Sequence, residues 1–157
     1  MILIYLLLLN RRKRNLEDKI AMLMSIIEEN EKVIKIEELG DELEYKVFSF
    51  EQVCRLINKL LELALKEKNT MVQEAYFHTI NIAINVYNVI DYLNLKELIN
   101  RLNALNDELL DYALSFIGKT KDKKYEALLI QYLSSSNDMI VESAKESLNE
   151  LYGKIVY

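Results

Sequence analysis

The chain runs for 157 residues with no proline and only three glycines. A fold made of many short strands needs tight turns, and tight turns need Gly, Pro, Asn or Asp at set places. Without that punctuation the sequence predicts an all-α protein. Hydrophobic residues make up 51% and charged residues 29%, with a net charge of −5, far from the composition of disordered chains. A chain of this length buries a sizeable core without disulfides or metal.

An internal repeat narrows the helical reading. Leu56-Ile57-x-x-Leu60, Leu98-Ile99-x-x-Leu102 and Leu129-Ile130-x-x-Leu133 share one pattern. Each is followed by a second: Val72-x-x-Ala75, Leu110-x-x-Ala113 and Val141-x-x-Ala144. The interval is equal in the last two copies and four residues longer in the first. That is about one helical turn, so the face is kept. Asn69, Asn106 and Asn137 stand just ahead of the second pattern, where a helix N-cap belongs. Each copy therefore reads as a helix, a short polar turn and a second helix with alanine at its centre. A small residue there lets two helix backbones approach closely. Thr79, Ile117 and Leu148 continue the buried stripe one turn on. Gly118 and Gly153 stand where their helices should stop, as glycine does at a left-handed C-cap.

The first 48 residues lie outside the repeat. From Asn15 to about Lys35, Leu16, Ile20, Leu23, Met24, Ile27 and Ile34 recur at helical steps and predict an amphipathic helix. Glu37–Lys46 is acidic, contains Gly40 and reads as a loop. Ser49 and Gln52 make a capping box that opens a helix reaching about Lys68. The expected organisation is an N-terminal section, 1–48, followed by repeats over 49–157.

Ile2–Leu9 is an apolar run followed by Arg11, Arg12, Lys13 and Arg14. As a helix it covers roughly 12 Å against about 30 Å of hydrocarbon, too little to span a bilayer alone. A secretory signal would carry its charges before the run and a small-residue cleavage site after it. The run reads as a helix buried against the next one, with a peripheral membrane anchor or a truncated span as the alternative.

Asp107–Leu151 resembles the HEAT repeat family, through Leu110-Asp-Tyr-Ala113-Leu-Ser-Phe-Ile117-Gly118 and Val141-Glu-Ser-Ala144-Lys-Glu-Ser-Leu148-Asn-Glu-Leu151. The resemblance implies a right-handed α-solenoid of about three helix pairs with an additional N-terminal helical section. It also implies binding in place of catalysis, with second helices lining a concave face. Small acidic HEAT-like chains look like immunity proteins encoded beside bacterial toxins. The expected function is a protein-binding module of that kind, neutralising a cognate toxin. Abundant Lys, Asn and Ile with scarce Arg point to an AT-rich bacterial genome, and one cysteine suits a reducing cytoplasm. The alternatives are a HEAT-like DNA-acting enzyme similar to alkylpurine glycosylases, and a membrane-associated adaptor held by residues 1–14.

If the repeat alanines face inward, the residues around them fall on the open side of the second helices. The expected partner-binding residues are Glu74, Phe77 and Asn81, then Glu108, Asp111 and Tyr112, then Glu142 and Glu146, with Gln73 and Ser115 beside them. Aromatic anchors ringed by carboxylates fit a basic protein, and a pI near 5.1 fits a phosphate backbone poorly. The blander alternative has Phe77 and Tyr112 packed between units and the acids merely solvated.

No catalytic set, cofactor box or metal motif is legible, and no enzyme activity is expected. His78 has no nucleophile at a telling spacing, and Cys54, between Val53 and Leu56, reads as core. Lys119, Lys121, Lys123 and Lys124 read as a solvated turn, with phosphate or lipid headgroups as the alternative ligands. The acids from Glu28 to Glu44 read as a solvated loop, with a basic protein surface as the alternative partner.

Overall fold

The computed structural model describes residue 16, residues 18–45 and residues 48–153. The apolar run Ile2–Leu9 and the basic residues after it lie outside the described residues. Helices occupy 18–25 (α1), Glu29–Glu44 (α2), Phe50–Lys66 (α3) and Thr70–Tyr87 (α4). They continue with Leu95–Ile99 (α5), Asp107–Lys119 (α6), Glu126–Gln131 (α7) and Asp138–Leu151 (α8), and no described residue lies in a strand. The chain divides into two compact units at the Val89–Ile90 junction.

In the first unit α2 and α3 both pack on α4. Ile36, Leu43, Val53, Leu56, Leu60 and Ile80 are fully enclosed. Side chains of this kind each stabilise the fold by roughly 1.5–3 kcal/mol. α3 begins as the sequence predicts: Gln52 N donates to Ser49 Oγ (3.4 Å), and Ser49 N donates to Gln52 Oε1 (2.9 Å).

Two expectations fail in this unit. The helix expected to run through Lys35 stops after Ser25, and a new one starts where the Glu28 carboxylate accepts from the backbone N–H groups of Asn30 and Glu31. The expected loop Glu37–Lys46 is largely helix, because Ile36, Leu39, Gly40 and Leu43 form a buried stripe at steps of three and four. Gly40 marks a close crossing with α4, not a turn. A Cβ there would lie 3.1 Å from Ile82 Cδ1 and 3.4 Å from Thr79 Oγ1. Beside it Thr79 Oγ1 donates to the Ile36 carbonyl (3.1 Å).

In the second unit α6 packs along α8, while α7 and the 3-10 turn Tyr132–Ser134 pack on α8. The first helices of the last two copies are short. Leu98-Ile99-x-x-Leu102 is split between α5 and the 3-10 turn Leu102–Ala104, and Leu129-Ile130-x-x-Leu133 between α7 and Tyr132–Ser134. Of that last pattern only Leu129 is buried.

Gly118 does not end its helix. A Cβ at Gly118 would lie 2.7 Å from both Cα and the carbonyl oxygen of Ser147, so glycine is there to let α6 and α8 touch. The left-handed residue after α6 is Lys121 (φ 55°). Gly153 does take the expected left-handed role (φ 64°) and donates its N–H to the Glu150 carbonyl.

The units repeat one parallel helix pair, α2–α4 in the first and α6–α8 in the second. Gly40 and Gly118 are each the twelfth residue after their N-caps, Glu28 and Asn106. The residues they meet, Thr79 and Ser147, are each the tenth after Asn69 and Asn137. Asn69 Nδ2 donates to the Glu29 carboxylate at the start of α2, and Asn137 Nδ2 donates to the Asp107 carboxylate at the start of α6 (2.6 Å).

Candidate functional site

The second unit brings five of the expected partner-binding residues together. All three predicted N-caps are in place, with Asn69, Asn106 and Asn137 each accepting backbone N–H bonds, so the phases of α4, α6 and α8 are fixed at their starts. Along α6, Glu108, Tyr112 and Ser115 recur at steps of three and four on the side away from buried Ala113 and Ile117. Along α8, Met139, Glu142 and Glu146 form the matching exposed stripe. Ser143 Oγ donates to the Asp111 carbonyl (3.4 Å) across the seam, which sets the Glu142 turn beside the Asp111 turn.

The face is acidic with apolar spots. Tyr112 is half-buried, its ring tilted against enclosed Phe116 at 6.2 Å, so it is held in place by the core beneath it. Met139 is 43% exposed. Glu142 pairs with Lys145 (3.1 Å), an exposed i,i+3 contact of little worth. Glu108, Asp111 and Glu146 form no ion pair among the described residues. Sequence reasoning missed Met139, although it lies one turn before Glu142 on the same stripe.

In the first unit Glu74 is exposed and Asn81 half-buried on the outer side of α4. Phe77 is different: its exposure is 0%, so it packs the interior and offers a partner nothing. The reason is that α4 is covered by both α2 and α3, which widens its buried arc beyond the single stripe read through Ala75. Gln73 is also structural, since its amide donates to the Ala64 and Glu67 carbonyls (3.1 and 3.0 Å) and closes the end of α3.

His78 lies on the exposed stripe with Glu74. Cys54 is half-buried, and desolvation with the nearby Glu51 charge pushes its thiol pKa up, which keeps it protonated and unreactive at neutral pH.

The lysine turn is occupied by its own neighbours. Lys124 Nζ lies 2.5 Å from Asp122 and above the Tyr125 ring, and Lys123 lies above the Tyr152 ring. Tyr152 in turn donates to the Glu126 carboxylate. A cleft of about 460 Å³ adjoins this turn, lined in part by Asp91, Lys96, Thr120, Asp122, Lys124 and Tyr125. Its two carboxylates match its two ammonium groups, so it has no charge bias towards an anion.

Among the described residues no helix is long and apolar enough to cross a membrane, and no three His, Cys, Asp or Glu side chains are grouped to hold a metal. No family model matches the chain, and no curated protein matches it.

Proposed function

We propose that this chain is a HEAT-like helical-repeat module whose α6–α8 face docks a basic protein. In its most concrete form it is an immunity-type protein that binds and neutralises a cognate toxin in a bacterial cytoplasm. The helix pairs in this reading are successive turns of a right-handed solenoid. One observation carries the proposal. Tyr112 and Met139 offer apolar contact on a face where Glu108, Asp111 and Glu146 have no ion-pair partner among the described residues. Carboxylates held in no ion pair have none to break when they meet an incoming lysine or arginine. An aromatic ring held by the core contributes contact area with little loss of conformational freedom.

Electrostatic steering then speeds encounter and weakens as salt rises. The test is capture by the tagged full chain from its native lysate at low salt, beside the variant Glu108→Lys/Glu142→Lys. Both positions are exposed, so the variant keeps its fold. The expected result is one basic protein recovered by the native chain and lost from the variant. Equal recovery by both would show that the partner docks elsewhere.

A further inference from the structure

The first unit carries a second face of the same design, and it includes residues that the repeat pattern does not reach. On the α2–α4 pair, Ile34, Glu37 and Asp41 are exposed along α2, and Met71, Glu74 and His78 are exposed along α4. The seam between them is the Gly40–Thr79 crossing, which matches the Gly118–Ser147 crossing of the second unit. Counted from these seams, Ile34 falls where α6 has Tyr112, Met71 where α8 has Met139, and Glu74 where α8 has Glu142. Ile34 is 53% exposed and Met71 54%, an unusual outlay of apolar surface on helices that otherwise bury theirs. Glu37, Asp41 and Glu74 form no ion pair among the described residues. The nearby cations are committed elsewhere, Lys32 to Glu67 and Lys35 to Glu38.

We infer that the α2–α4 face is a second docking site, taking a basic amphipathic segment of a protein partner. Its apolar side chains would cover Ile34 and Met71, while its lysines or arginines meet Glu37, Asp41 and Glu74. The inference rests on the α6–α8 reading for its chemistry. Charge complementarity selects the occupant, because the stripe holds three carboxylates and no lysine or arginine. Exposed methionine suits such a role, since its flexible thioether adapts to varied apolar partners.

The probe is a fluorescein-labelled amphipathic helical peptide of leucine and lysine, titrated at low salt into the full chain and three variants. Stoichiometry is read by calorimetry and affinity by anisotropy. The variants are Ile34→Ser/Met71→Ser, Glu37→Lys/Asp41→Lys and Glu108→Lys/Glu142→Lys. All six positions are exposed, and each variant's thermal melt checks its fold. The native chain should bind two peptides. Either first-unit variant should weaken one of them by about tenfold or more and leave the other, as loss of a contact centre does. One bound peptide, unaffected by the first-unit variants and lost from Glu108→Lys/Glu142→Lys, overturns the second face and leaves the α6–α8 reading intact. No binding to the native chain overturns both.

Discussion

Gly40 and Gly118 occupy the same place in their helices, yet an added methyl group meets different neighbours at each. At Gly118 it meets the Ser147 backbone at 2.7 Å, which cannot move without shifting α8. Gly118→Ala should therefore destabilise the protein by about 1–3 kcal/mol, the usual cost of overpacking. At Gly40 the nearest atom is the far end of the Ile82 side chain, which can rotate away. Alanine also gains about 1 kcal/mol of helix propensity over glycine. Gly40→Ala should leave stability unchanged or raise it slightly, and urea unfolding of both variants measures the contrast. Neither role was legible in the sequence, where one glycine reads as a loop and the other as a helix stop. A packing glycine and a turn glycine differ only in what the rest of the fold brings against them. Gly153 was legible because its role is local, and Phe77 was misplaced because its burial depends on two other helices.

Helix starts were the most legible elements. Ser49, Asn69, Asn106 and Asn137 all cap as their side chains predict, because a cap is settled within three residues of sequence. The start of α2 was not legible, since glutamate is a rare cap and the apolar spacing runs on through Ile27 and Ile34. The asparagine caps also do something no local rule contains: two of them donate across to the first residue of a neighbouring helix. Asn137→Asp keeps the cap but sets a second carboxylate against Asp107, so it should lose about 1 kcal/mol at neutral pH, partly recovered in high salt. Asn106→Asp keeps the bond it accepts from the Leu109 N–H and should change little. Thermal melts of the pair check this.

The α3–α4 connection makes an acid-sensitive contact. Burial pushes the Glu67 carboxyl pKa up, but the N–H groups of Lys68 and Asn69 and the Lys32 ammonium outweigh it and hold the pKa below its ordinary 4.5. A lowered folded-state value means that the unfolded chain binds more protons. The stabilisation is thus present above about pH 4.5 and is lost as pH falls through the folded-state value. Glu67→Gln should flatten that part of the stability–pH curve, followed by urea midpoints over the acid range.

Across the whole chain, all-helical architecture was legible from the missing prolines, and the starts of α4, α6 and α8 from the asparagine spacing. The correspondence of the α2–α4 pair with the α6–α8 pair was hidden because α2 shares neither an alanine pattern nor an asparagine cap with α6. It appears only once the glycine crossings and the paired N-cap bonds are seen in space. On the α6–α8 face five residues followed from helix phase alone: Glu108, Asp111, Tyr112, Glu142 and Glu146. Met139, Ile34 and Met71 required exposure to be known. The open side of α6 and α8 is where we propose that a basic protein docks. Hydrogen exchange of the full chain, alone and saturated with the captured partner, tests it most directly. Docking there should slow exchange in residues 107–119 and 138–151, with salt reducing the effect as the complex weakens. Protection confined to 123–134, with α6 and α8 unchanged, would contradict it.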